Sequence, residues 1–115
     1  MSRDPKREEG GTAVAVEKKS RQRLARPPRY RVLLHDDDFT PMEFVVAVLR
    51  EVFRRSESES TAIMLHAHTQ GVAVAGVYAF EIAEAKAAKT IELARKAQFP
   101  LLCTIEPEDD GEPQP

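Results

Sequence analysis

The sequence predicts an α+β fold: a compact two-layer domain of order β-α-α-β-α-β, with a three-stranded antiparallel sheet and helices packed on one face. Three observations predict it. Tyr30, Val32 and Leu34 alternate with Arg31, Leu33 and His35, the period of a strand with one strongly apolar face. Apolar residues recur three and four apart through Phe44, Val45, Val48, Leu49, Val52 and Phe53, and again through Phe80, Ala83, Ala87, Ala88, Ile91 and Ala94, the period of a helix. The chain has 115 residues, room for one domain.

The elements follow in order. The first strand ends in three consecutive aspartates, Asp36, Asp37 and Asp38, then Phe39. Thr40, Pro41, Met42 and Glu43 then read as a helix start, with Thr40 as N-cap, Pro41 at the first helical position and Glu43 closing a capping box. Ser56 to Glu59 offers a second capping box, before a short helix carrying Ile63, Met64, Ala67 and His68 that ends near Gly71. Val72, Val74, Gly76 and Tyr78 read as the second strand. A long third helix follows, with Glu92 and Lys96 paired one turn apart on its outside and Phe99-Pro100 as its stop. Its alanine stripe predicts close approach to the sheet. Leu101 to Ile105 make the last strand.

Charge divides the chain into three. Residues 1–29 carry nine Lys/Arg and four Asp/Glu, residues 30–105 eight and ten, and residues 106–115 none and five. The first segment has no aromatic residue and few large aliphatics (Val14, Val16, Leu24), too little to offset the entropy of ordering. The expected organisation is a flexible arm over 1–28, a folded core over 29–107 and a disordered acidic tail over 108–115.

Hydrophobic residues are 42% of the chain and charged residues 31%, as in an ordinary globular protein. Aromatics are 6% and tryptophan is absent, so the core is aliphatic. The net charge of −2 argues against a dedicated nucleic-acid binder. One cysteine, Cys103, excludes an intrachain disulfide and a multi-cysteine zinc site. No apolar run approaches the roughly 20 residues that cross a bilayer, and the first residues lack the apolar stretch of a secretory signal. The expectation is a cytoplasmic monomer without membrane or nucleic-acid partners and without a cofactor.

The three aspartates are the most unusual feature. Adjacent like charges repel, and fold stability does not require them. They suit a hard cation, an organic cation such as an amine, or simply a polar loop that caps a helix. His66 and His68 stand two apart on a helix and point roughly 200° from one another, so they do not grip one metal. Cys103 alternates along an apolar strand and reads as core, and neither a nucleophile elbow nor a Gly-rich phosphate loop is present. No credible enzyme emerges. Met42, Met64, Val45 and Leu101, with an acidic rim, suit a small apolar pocket with a cation site at its mouth, although methionines at helical spacing equally fill cores.

The stretch YRVLLHDDDFTPM over 30–42, followed by EFVV, resembles the ClpS family of bacterial protease adaptors. AHTQGVAVAGVY over 67–78, the helix around Glu81 to Lys86, and PLLCTIEPE over 100–108 resemble it too. The likeness spans 29 to about 107. It implies an adaptor that binds N-degron proteins, those whose first residue is Phe, Leu, Trp or Tyr, and delivers them to the AAA+ unfoldase ClpA for the ClpP peptidase. By the same likeness, Asp36, Asp38 and His68 match positions that hold the substrate's α-amino group, and Asp37 between them is counted among the substrate-binding residues. Thr40, Met42, Val45, Met64, Ala67 and Leu101 match the walls around its first side chain, Met42 gating against β-branched residues. Glu81 and Lys86 match the surface that docks on the unfoldase's N-terminal domain, and residues 1–25 the arm needed for delivery.

Three positions depart from the family's pattern. Asp36 stands where the family usually has asparagine. An ionised carboxylate accepts hydrogen bonds and cannot donate them, so a contact to the substrate's first carbonyl is lost unless Asp36 is protonated. His35 replaces an aliphatic residue. Ala67 replaces a typical valine, which widens the pocket and favours aromatic ends. Two other readings stand beside the adaptor: a ribosome-associated or regulatory interaction domain of the same fold that binds no N-degron, and a metal-dependent hydrolase built on the aspartates and histidines.

Overall fold

The computed structural model describes residues 28–108. The expected arm over 1–28 and tail over 108–115 lie, apart from one residue each, outside the described residues. The elements are β1 (Arg29–His35), α1 (Met42–Glu51), α2 (Glu57–Gln70), β2 (Val72–Ala79), α3 (Phe80–Ala97) and β3 (Leu102–Pro107). This is the predicted order. The sheet runs β2-β1-β3 with both pairs antiparallel, so the first strand in sequence is the central one.

The alternation in β1 puts Val32 and Leu34 on the covered face, 0% and 1% exposed. Leu34 lies between Ala73 and Cys103 of the flanking strands. These residues join Val48 and Leu49 of α1 and Ala83, Ala87 and Ala94 of α3 in one aliphatic core. The open face carries Arg31, whose guanidinium pairs with Glu106 of β3 at 2.9 Å.

Local signals hold for α2. Ser56 Oγ accepts from the Glu59 backbone N–H, and Glu59 returns a carboxylate oxygen to the Ser56 N–H. Gly71 ends the helix at φ 91°, a left-handed conformation that favours glycine. The helix has 14 residues and is longer than expected. At α1 the expected cap is wrong. Pro41 takes the cap position, and no side chain bonds the helix start. Thr40 donates its hydroxyl to Asp37 instead.

Two further expectations change. Val72, Val74, Gly76 and Tyr78 do not share one buried face: Ala73 and Ala75 are buried while Val74 is 40% exposed. Val32 pairs with Gly76 and the next residue, Leu33, with Val74, which leaves Ala75 as a bulge. A bulge shifts the side-chain phase by one, so Ala75 and Gly76 are both buried. The Tyr78 ring lies against Gly76, in space a Cβ would occupy. In α3 the buried stripe is Ala83, Ala87, Thr90 and Ala94. Ala88 is exposed, and Phe80 packs at the strand ends, its ring centroid 5.1 Å from that of Tyr30. Thr90 stays buried because its hydroxyl donates to the Lys86 carbonyl at 2.9 Å.

Cys103 lies in β3 against the core, as its alternation predicts, and burial pushes its thiol up to about 11. Only the thiolate is nucleophilic. Native protein at pH 8 is therefore expected to resist a disulfide reagent that titrates one thiol in urea. Rapid labelling of the native protein would place Cys103 outside the core.

Candidate functional site

One end of the domain holds a cavity of about 290 Å³. Four parts of the chain meet there: the end of β1 with the acidic loop, the first turn of α1, the last two turns of α2, and Leu101 ahead of β3. Asp36, Asp37, Asp38, Thr40, Met42, Val45, Met64, Ala67, His68 and Leu101, the whole predicted binding set, line it. Leu34, His35 and Pro41 line it too. Leu34 was legible only as a core residue, since its alternation does not reveal that the core opens beneath it.

The deep part is apolar. Leu34, Met64, Ala67 and Leu101 are each less than a tenth exposed. The strand begins at Leu102, one residue after Leu101, so Leu101 lines the cavity rather than pairing in the sheet. The mouth is polar. The Asp36 backbone N–H donates to the Gly71 carbonyl at 2.8 Å, which pins the end of β1 to the end of α2. That tie sets Asp36 beside His68, with 3.6 Å from Asp36 Oδ1 to His68 Nδ1. Both side chains remain partly in solvent.

Asp37 shapes the loop. One carboxylate oxygen accepts from the backbone N–H groups of Phe39 and Thr40, at 2.8 and 2.7 Å. The other accepts the Thr40 hydroxyl at 2.8 Å. Burial works against its charge, but these hydrogen bonds outweigh it and hold the Asp37 carboxyl below the ordinary value of 3.8. A depressed folded value stabilises the protein above the unfolded value, and that contribution is lost as pH falls through the folded one. Asp37→Asn is therefore expected to lower the melting temperature at pH 6 and to converge with wild type as the pH falls below the ordinary carboxylate range. A constant gap between the two proteins across that range would contradict this role.

Asp38 makes no side-chain hydrogen bond among the described residues. Among the described residues, too, no three His, Cys, Asp or Glu side chains gather in a way that holds a metal ion. His66 is exposed and away from the cavity, and the His35 ring reaches Thr104 of β3 at 2.8 Å. No described helix is long and apolar enough to cross a membrane.

Glu81 and Lys86 lie apart from the cavity, on a shallow groove of α3 with Val52, Ile82 and Leu93. Glu81 is exposed in the first turn of α3. Lys86 is tied down: its ammonium donates to the Val52 carbonyl at 2.6 Å and stands 5.3 Å from the Tyr78 ring centroid. It thereby satisfies a carbonyl at the end of α1, a tertiary contact no local pattern announces.

The fold and the site together describe a small α+β domain whose apolar cavity opens at an anionic mouth. Comparison with known proteins makes this specific. The family model described as ATP-dependent Clp protease adaptor protein ClpS matches residues 25–104. The chain is 51% identical over 100 residues to the ATP-dependent Clp protease adapter protein ClpS of Maricaulis maris, covering 87% of this chain and 90% of that one. It is 48% identical over 101 residues to its Myxococcus xanthus counterpart, covering 88% and 94%. Its fold matches the solved structure of Agrobacterium tumefaciens ClpS2 bound to L-phenylalaninamide with a TM-score of 0.70 and 48% identity, over 72% of this chain and all of that one. The chain belongs to the ClpS family of Clp protease adaptors.

Proposed function

We propose that this protein is a non-enzymatic cytoplasmic adaptor, acting as a monomer, that binds proteins beginning with Phe, Leu, Trp or Tyr and delivers them to a ClpA-type unfoldase working with ClpP. The observation that carries this reading is the joining of one apolar cavity to one anionic mouth. At about 290 Å³ the cavity falls at the small end of ligand pockets, a size for one side chain. The similar Agrobacterium protein takes a ligand of that description, an aromatic side chain on a free α-amino group.

Asp36, Asp38 and His68 receive the ammonium, whose three donors and single charge suit two carboxylates and a neutral imidazole nitrogen. Asp37 fixes the loop that presents them. Thr40, Met42, Val45, Met64, Ala67 and Leu101 enclose the side chain. A buried Leu or Phe contributes about 1.5–3 kcal/mol. Each charge-assisted hydrogen bond contributes a similar amount, about 1.5–3 kcal/mol. Micromolar affinity needs about 8 kcal/mol, so neither part suffices alone. Glu81 and Lys86 mark the docking side, away from the cavity, so that substrate and unfoldase bind at once. Residues 1–25 serve as the delivery arm.

Titration of the full chain with peptides that differ only in the first residue tests this. Phe, Leu, Trp and Tyr are expected to bind, Trp more tightly than Leu because Ala67 widens the wall, and Ile and Ala to bind weakly. A flat profile overturns the reading. In a reconstituted ClpA–ClpP reaction the protein is expected to accelerate degradation of a reporter beginning with Phe, and a protein lacking residues 1–25 to bind peptide without delivering it.

A further inference from the structure

The acidic loop carries one residue that neither the cavity nor the core uses. Phe39 is 78% exposed, the most exposed of the large hydrophobic residues described. Its chain neighbours Asp38 and Thr40 both line the cavity, and Phe39 does not. It therefore stands on the lip. Its position is enforced: Asp37 holds the N–H groups of Phe39 and of Thr40, and Pro41 follows with a fixed φ. The loop backbone is thereby fixed, and the ring projects from it into solvent. Three residues on, Met42, which lines the cavity, is itself 42% exposed, so the apolar lining reaches the surface at the start of α1.

We infer that Phe39 reads the second residue of the bound chain and favours an apolar or aromatic side chain there. The inference rests on the cavity being the site for the first residue. With the ammonium at Asp36 and His68 and the first side chain inside, the chain leaves across the rim. Successive side chains of an extended chain point to opposite sides, about 3.3 Å apart, so the second one does not enter the cavity. It meets the rim. There Asp36, Asp37, Asp38 and His68 are polar, and Phe39 supplies the apolar surface. Burying part of an exposed ring against a second side chain supplies selectivity without disturbing the first-residue contacts. The carboxylates on the same loop disfavour an acidic second residue.

The test compares wild type with Phe39→Ser and Phe39→Tyr. The ligands are L-phenylalaninamide, which has no second residue, and peptides beginning Phe-Gly, Phe-Leu, Phe-Tyr and Phe-Asp. In wild type, Phe-Leu and Phe-Tyr are expected to bind about 3- to 10-fold more tightly than Phe-Gly, the gain from partial burial of two apolar side chains. Phe39→Ser is expected to level them, Phe39→Tyr to keep the order, and L-phenylalaninamide to bind all three proteins alike. Equal binding of the single-residue ligand also shows that the variants fold. An unchanged second-residue order in Phe39→Ser overturns the inference, as does a wild type that does not discriminate. Loss of L-phenylalaninamide binding in Phe39→Ser alone assigns Phe39 to the loop's structure and also overturns it. Failure of L-phenylalaninamide to bind wild type instead overturns the first-residue reading beneath. Intact selectivity with lost delivery to the unfoldase makes Phe39 a partner contact and overturns it too.

Discussion

Acetylating the first amino group of a Phe-initiated peptide is expected to weaken its binding by about 100-fold or more. The physical reason lies at the mouth. An α-ammonium carries a full charge and three donors, whereas an acetylated amine carries no charge and one donor. Asp36 and Asp38 then lose their counter-charge after being partly withdrawn from water. Losing two charge-assisted hydrogen bonds of about 1.5–3 kcal/mol each removes about 3–6 kcal/mol. The lower part of that span is the better expectation, because the Asp36 side chain is 32% exposed and that of His68 53%, and solvent screens both. Fluorescence anisotropy with the free and the acetylated peptide measures the difference directly. Equal affinities would mean that the cavity recognises an aromatic side chain anywhere in a chain, and the adaptor reading would fall. Raising salt is expected to weaken the free peptide more than the acetylated one, since only the former gains from the negative rim.

How much of this was legible in the sequence depends on how local each interaction is. The Ser56–Glu59 box and the turn at Gly71 involve residues within one helical turn, and the structure has both. The alternation of Val32 and Leu34 reports one face of one strand, and it holds. The bulge at Ala75 is different in kind. It exists because Val32 and Leu33 pair with Gly76 and Val74, on a strand about forty residues away in sequence. Nothing within Val72–Ala79 announces it. The cap of α1 failed for a subtler reason. The Asp37 carboxylate holds both the backbone N–H and the hydroxyl of Thr40, which keeps Thr40 in the loop, and Pro41, without a side-chain acceptor, takes the cap position.

The site divides in the same way. Apart from His68 on α2, its polar members sit close together in sequence, Asp36, Asp37, Asp38 and Thr40, a run that stood out as a sequence oddity, although chemistry alone left an amine, a metal and a helix cap all open. Its apolar members come from four separated segments and looked like ordinary core. Met64 and Leu101 were read as candidates for an apolar pocket as well as for core, whereas Leu34 became a site residue only when the sheet and α2 were seen to leave a gap between them. The likeness to ClpS supplied what periodicity did not. Lys86 shows the converse. The likeness marks it as a docking residue, while the structure adds its hydrogen bond to the Val52 carbonyl, so a substitution there disturbs the end of α1 as well as any partner surface.

Leu34→Ala is expected to lower the unfolding free energy by about 2–5 kcal/mol, a large share of the roughly 5–15 kcal/mol that small domains possess. Leu34 is 1% exposed, central in the sheet between Ala73 and Cys103, and also a wall of the cavity. Truncation removes core contacts and extends the cavity in one step. At about 4–8 °C per kcal/mol for a domain of this size, the melting temperature falls by at least about 8 °C. A loss below about 1 kcal/mol in urea unfolding would show that Leu34 does not bridge core and site. The bridging also predicts a partial rescue. A ligand at 100 times its dissociation constant returns about 2.7 kcal/mol, so a saturating Trp-initiated peptide is expected to recover much of the lost midpoint. Widening the cavity at Leu34 therefore costs the fold directly, because the same side chain lines the cavity and packs in the core. Ala67 offers a cheaper position: it lies on α2, is already small, and widens the wall without taking a residue from the middle of the sheet. A chain that trades first-residue preference against stability is freer to do so on the helix side of this cavity than on the strand side.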